Sequence, residues 1–185
     1  MNSTSTPPVL GFVAYSGTGK TTLLTRVIPR LREAGVRVAL IKHAHHQFDI
    51  DTPGKDSHRL REAGAEHVMI ASRGRWVWMA ETPGQDEACL AEMLQRLQGV
   101  DVDLILIEGF KHEHYPKIEL RREELHNPRL YPSDPDIIAV ACDGPLDPPT
   151  PLPVLDLNDP AAIARFVLEK FLGRSAQGPA PEAVA

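Results

Sequence analysis

The sequence predicts an α/β fold, with a mostly parallel central sheet flanked by helices and one antiparallel hairpin. Three observations carry this. Short apolar runs alternate along the chain with stripes of helical period. "LILI" at 104–107 is a continuous apolar run, as expected of a central strand covered on both faces. "SRGR" at 72–75 joins two runs of strand character, the second alternating with period two, which is the pattern of a hairpin.

The elements follow in order. Residues 9–13 form a short, mostly apolar strand ending in a glycine-rich turn. From Lys20 the apolar positions become Leu23, Leu24, Val27, Ile28 and Leu31, one face of a helix. Pro29 should bend that helix or weaken its last turn. Gly35 stops it, where a left-handed cap is usual. Residues 36–41 read as a second strand, and Thr52 with Pro53 at the first helical position starts a second helix. Strands at 67–71 and 75–81 make the hairpin. Cys89, Leu90, Met93, Leu94 and Leu97 mark a helix closed by Gly99. Residues 116–122 and 136–142 read as later strands, and 159–172 as a final amphipathic helix. "DGPLDPPTPLPV" is a proline-rich connection. One domain therefore spans 9–172, between a flexible start at 1–8 and a tail at 173–185 expected to be disordered.

The bulk composition narrows the class. A chain of 185 residues, 42% apolar and 24% charged, is long enough to bury one substantial core. Its formal net charge of -5 argues against non-specific nucleic-acid binding. No apolar run approaches the ~20 residues of a membrane helix. The opening "MNSTSTPP" lacks the basic and apolar regions of a secretory signal. Cys89 and Cys142 both sit in apolar patterns and read as buried thiols. A cytoplasmic protein is expected.

Ala14-x-x-x-x-Gly19-Lys20-Thr21 follows a strand and opens a helix, which is the setting of a phosphate-binding P-loop. Its first position is Ala where the usual pattern has Gly. Backbone N–H groups over Ser16, Gly17, Thr18, Gly19, Lys20, Thr21 and Thr22 can surround phosphates at the positive end of the helix. Lys20 can reach the outer phosphates, and the Thr21 hydroxyl can ligate Mg²⁺. The carboxylate partner for that metal is expected at the end of a neighbouring apolar strand, where Glu108 stands. Gly109 beside it permits close approach to the terminal phosphate, and Lys111 extends the anionic pocket. Asp143, after "IIAVA", is a candidate reader of a base edge. The fold class is thereby narrowed to a P-loop NTPase.

"IKHAHHQFDIDTPGKDSHRLREAG" is less generic. It runs from a strand end, where ligands bind in open α/β sheets, to a helix start. Lys42 and His43 are candidates for phosphate or substrate contact, with Lys55 and Asp56 beyond them. Asp49 and Asp51 are candidates for water or Mg²⁺ contacts, and one of them for capping the helix. Three readings stay open for His43, His45 and His46: metal ligands, solvated loop residues, or phosphate recognition. Ser72 and Arg73 offer anion donors, or else an exposed basic hairpin. Trp76 and Trp78 share one strand face and suit core or subunit contact.

Taken in order, "AYSGTGKTTLL", "LIKHAHH", the Asp49–Ser57 pattern with "PGKDS", "REAGA", "LILIEGFKHE" and "IAVACD" resemble the molybdopterin-guanine dinucleotide biosynthesis adapter family, MobB. The resemblance implies a cytoplasmic, dimeric GTP-binding protein with Mg²⁺ and weak GTPase activity. It implies assistance to the guanylyltransferase that joins GMP to molybdopterin, with molybdopterin itself as bound cargo. Lys20, Glu108 and Asp49 are then the candidates for hydrolysis. Residues 16–22, Gly109 and Lys111 would hold nucleotide, and Thr21 and Glu108 the metal. Lys42, His43, Asp51, Lys55, Asp56, Ser72 and Arg73 would contact cofactor or phosphate. Two rivals share the fold. A small-molecule kinase would use ATP, Asp49 as base, and Arg121 or Arg122. A metallochaperone GTPase would use the histidines.

Overall fold

The computed structural model describes residues 6–44, 48–84 and 87–174. It divides into two compact units: Met1–His43 with Leu90–Ala185, and Ala44–Cys89.

The first unit is built on a six-stranded sheet. Its strands are β1 (Val9–Val13), β2 (Val38–Lys42), β5 (Leu104–Glu108), β6 (Lys117–Arg121), β7 (Ile137–Cys142) and β8 (Val154–Asp156). They lie in the order β2-β5-β1-β6-β7-β8, and every neighbouring pair is parallel. Helix α1 (Lys20–Glu33) and helix α4 (Pro160–Phe166) cover one face. There Leu23, Val27, Leu31, Ile163 and Val167 pack on Leu10, Phe12, Leu104, Leu106 and Ile118. Helix α3 (Leu90–Arg96) belongs to the opposite face, with Leu90 packed against Ile105, Ile107 and Tyr115. All five residues of β5 are buried, which accounts for its unbroken apolar run.

Strand β6 is also buried throughout although it carries Lys117, Glu119 and Arg121. These alternate with Ile118 and Leu120, and each finds a partner. Lys117 Nζ lies 2.9 Å from Asp134 Oδ2. Glu119 accepts from the Leu130 and Tyr131 amides and from Arg121. Buried charge is retained only where it is paired in this way.

Helix α1 continues through Pro29 to Glu33. Gly35, at φ +76°, ends it, with the Val36 amide donating to Leu31 O at 2.9 Å. Asp159 caps α4 by accepting from the Ala161 and Ala162 amides. The chain then continues as a single wide turn over Val167–Phe171.

The second unit holds helix α2 (Asp56–Glu62) and the antiparallel pair β3 (His67–Ala71) and β4 (Trp76–Ala80). The Ser72 amide donates to Arg75 O at 2.7 Å and closes the hairpin.

Three expectations are corrected. The second helix begins at Asp56 and not at Pro53, because Gly54 at φ +83° turns the chain and Lys55 N bonds back to Thr52 O. The proline-rich connection leads into an unexpected strand, β8, which begins at its last residue, Val154, on the sheet edge, where the preceding Pro153 needs no amide donor. Cys89 is exposed just before α3, whereas Cys142 is buried as expected. No helix among the described residues is long and apolar enough to cross a membrane.

Candidate functional site

The sheet brings the phosphate loop and its partners together at the carboxyl ends of β1, β2 and β5. Loop residues 14–19 leave β1 and enter α1 at Lys20. The turn requires φ +80° at Gly17 and +96° at Gly19, a region that side chains disfavour. Thr18 is 2% exposed and anchors the loop from inside, its hydroxyl donating to Tyr15 O at 2.9 Å. Ala14 lies just past the strand end, before both positive-φ glycines. Its methyl group therefore does not meet the tight part of the turn.

Lys20 folds back over its own loop, with Nζ 2.9 Å from Ala14 O and 3.3 Å from Tyr15 O. Burial lowers its pKa; Glu108 opposes that shift, while Lys111 and Lys42 add to it. Thr21 Oγ1 donates to Glu108 Oε1 at 3.2 Å, and Lys42 Nζ stands 3.8 Å from Glu108 Oε2. Register explains the meeting: Glu108 is beside Lys42 on β2 and beside Phe12 on β1. Lys111 Nζ sits 5.3 Å above the Tyr15 ring. Lys20 and Lys42 thus share the Glu108 carboxylate, and Lys111 adds a third ammonium group near Lys20. The surplus positive charge, with the loop amides, makes this an anion site.

Gly109 is set by close approach. Its φ is +105°, and a Cβ there would stand 2.6 Å from His43 Cβ. The gap lets the His43 amide donate to Glu108 O at 2.8 Å and the His43 ring stack on Phe110 at 4.4 Å. Tyr115 supports this corner from below, its hydroxyl donating to Gly109 O at 2.6 Å. Burial pushes the Tyr115 hydroxyl well above its usual pKa, so it stays a donor.

Arg122 is the residue that sequence reasoning assigned to a rival chemistry. Its Nε donates to Thr18 O at 3.2 Å, and its Nη1 meets Asp143 Oδ2 at 3.0 Å. Asp143 Oδ1 accepts the Glu123 amide, so each of its oxygens already has a partner within the chain. The double Arg at the end of β6 is the only sequence signal. Register separates the two: Arg121 is buried at 6% exposure among carboxylate and carbonyl partners, while Arg122 reaches the loop.

Asp49, Asp51, Lys55, Asp56, Ser72 and Arg73 belong to the second unit. There Asp49 accepts the Asp51 amide and pairs with Arg61, contacts that lower its pKa. Asp51 accepts from Thr52 N and Ser57 Oγ, bracing the turn into α2. Lys55 holds the N-cap position and Asp56 the first helical turn. Ser72 Oγ donates to Arg75 O within the hairpin, and Arg73 is exposed. His45 and His46 lie outside the described residues. Among the described residues no three His, Cys, Asp or Glu side chains form a metal cluster. The residues that fit Mg²⁺ are the Thr21 hydroxyl and the Glu108 carboxylate, a hard oxygen pair already within hydrogen-bond reach.

A parallel sheet whose central strand feeds a glycine-rich loop into a helix, with a carboxylate on the adjoining strand, defines a protein of the P-loop NTPase fold. The chain belongs to the MobB family, described as molybdopterin guanine dinucleotide synthesis protein B, whose model matches residues 9–143. It is 49% identical over 163 residues to the molybdopterin-guanine dinucleotide biosynthesis adapter protein of Escherichia coli, covering 88% of this chain and 92% of that one. The Haemophilus influenzae protein of the same description is 44% identical over 160 residues, covering 86% and 87% respectively. A crystal structure of a MobB homologue from Bacillus stearothermophilus superposes with a TM-score of 0.68 at 25% identity, covering 90% of this chain and 99% of that one.

Proposed function

We propose that this protein is an adapter in molybdopterin-guanine dinucleotide biosynthesis that binds GTP with Mg²⁺ and hydrolyses it slowly. Family membership supports the pathway. The observation that carries nucleotide binding is the loop itself, with Lys20 and the Thr21–Glu108 pair at its mouth. Lys20 exchanges two backbone carbonyls for the outer phosphates. Thr21 and Glu108 hold the metal, which neutralises phosphate charge when bound. Lys42 and Lys111 add charge on the side of the terminal phosphate, and Glu108 orients water. Glu108 is already engaged by Thr21 and Lys42, which suits a slow reaction and a role as a nucleotide-dependent adapter. The partner is the guanylyltransferase that uses molybdopterin, with molybdopterin carried as cargo, and the protein works as a cytoplasmic homodimer.

Calorimetric titration with Mg²⁺-GTP tests this reading. Lys20→Ala is expected to weaken binding at least about tenfold, in line with the ~1.5–3 kcal/mol of a hydrogen bond to a charged group. Its circular dichroism should be unchanged. A Lys20→Ala protein that binds normally sinks the loop assignment.

A further inference from the structure

Glycine packs nothing in the middle of a buried strand, yet Gly11 stands at the centre of β1. Tyr115 takes the space. A Cβ at Gly11 would collide with Tyr115 Cε2, so the ring lies against the β1 backbone. Lys117 Nζ stands 4.8 Å from the ring centroid and is itself held 2.9 Å from Asp134 Oδ2. Both side chains are buried, so the ring is a fixed pillar beneath the carboxyl end of β5.

The pillar ends at the turn beyond that strand. The Tyr115 hydroxyl donates to Gly109 O at 2.6 Å and lies 3.1 Å from Phe110 O. Phe110 O also accepts the Glu113 amide, at 3.0 Å, whereas among the described residues the hydroxyl is the sole hydrogen-bond partner of Gly109 O. The turn needs this support. Gly109 lies at φ +105° and Phe110 at φ +49°, and a side chain stays in the left-handed region only where its surroundings hold it. On the strand side Glu108 O is held by the His43 amide. On the far side the first peptide is held by Tyr115. Because a trans peptide is planar, carbonyls turned in toward the hydroxyl turn the Phe110 and Lys111 amides away from the pillar.

We propose that Tyr115 is a positioning residue for the Mg²⁺ site: through the Gly109 carbonyl, its hydroxyl sets the turn that keeps the Glu108 carboxylate on Thr21. The inference rests on the Mg²⁺-nucleotide reading above. Tyr115 itself touches neither phosphate nor metal. Without its hydroxyl the 109–110 peptide rotates, Phe110 relaxes toward negative φ, and Glu108 loses its constraint on one side. Residues 16–22 make no bond to the hydroxyl, so their hold on phosphate does not depend on it.

Calorimetry on the full chain tests this with Tyr115→Phe, which keeps the ring against Gly11 and removes only the hydroxyl. GTP is titrated with Mg²⁺ and again with EDTA, and the ratio of the two affinities measures what the metal contributes. In Tyr115→Phe that ratio should fall about tenfold, the lower end of what loss of a group behind a metal ligand costs, while affinity in EDTA changes less than about twofold. Glu108→Gln should lower the ratio too, and adding Tyr115→Phe to it should lower it no further, since the hydroxyl acts through that carboxylate. A purely structural tyrosine would lower the melting temperature and leave the ratio at its wild-type value, which overturns the proposal. So does a further fall in the double variant, or a Tyr115→Phe chain that does not fold. A wild type whose affinity ignores Mg²⁺ overturns the metal reading, and one that binds GTP in neither condition overturns the phosphate loop; each takes the proposal with it.

Discussion

A single methyl group at Gly109 would meet His43 Cβ at 2.6 Å and sit on a backbone at φ +105°. Both effects raise the energy of the native state, and neither can relax without moving β2 or the end of β5. Gly109→Ala should therefore destabilise the fold by about 2 kcal/mol, the usual size of such strain. Urea denaturation measures this directly, and a variant as stable as wild type would show that the close approach is not required. Because His43 N is bonded to Glu108 O, the same change should displace Glu108 and weaken Mg²⁺-nucleotide binding as well. The neighbouring Phe110 carries its own positive φ of 49°, so strain is concentrated beside the carboxylate.

Strands β2 and β5 are tied at their starts by Arg37 and Asp103. The Arg37 amide and Nε both donate to Asp103 Oδ2, at 2.8 and 3.0 Å, and the Arg174 guanidinium adds a further contact. The Arg37 guanidinium holds the Asp103 carboxyl well below the usual carboxylate range. A depressed carboxyl contributes stability that is complete above its unfolded pKa, about 3.9, and is lost as pH falls through the folded value. Asp103→Asn should be less stable than wild type at pH 7, and the gap should narrow as pH falls below about 3.9, closing only as pH passes through the low folded value. Thermal melts across that range check it; parallel curves would contradict it. These strands were legible in sequence because their apolar runs are unambiguous, and so was the phosphate loop, whose spacing is strict. Strand β8 was not, since three residues behind a run of prolines carry no period. The start of α2 was misplaced because Pro53 suits a helix start and a turn equally well, and only Gly54 decides between them. Arg122 was seen as a basic group but not as the clamp on Thr18, because the contact spans β6 and the loop on β1.

The hairpin of the second unit pairs Met69 with Trp78 and Ala71 with Trp76 across its strands, placing both tryptophans on one face. Met69 is 69% exposed, Trp76 67% and Trp78 41%, a large apolar surface for a two-stranded sheet. The proposed homodimer would bury this face. Replacing Trp76 and Trp78 together with Lys should then give a monomer in sedimentation equilibrium, with GTP binding retained. A double variant with the mass of wild type would place the subunit contact elsewhere. In the first unit, the strand that carries the phosphate loop has a different kind of neighbour. Val9 stands beside Ile105 and Gly11 beside Lys117, so β1 bonds to strands made long after it. During synthesis the loop-bearing segment leaves the ribosome early and then waits, unpaired, for β5 and β6. An N-terminal fragment ending before Leu104 lacks both strands that pair with β1 and frame the proposed nucleotide site. Pairing of this kind is non-local and belongs to the slower class of folding contacts. The proposed capacity to hold nucleotide would thus arrive late, as a property of the nearly completed chain.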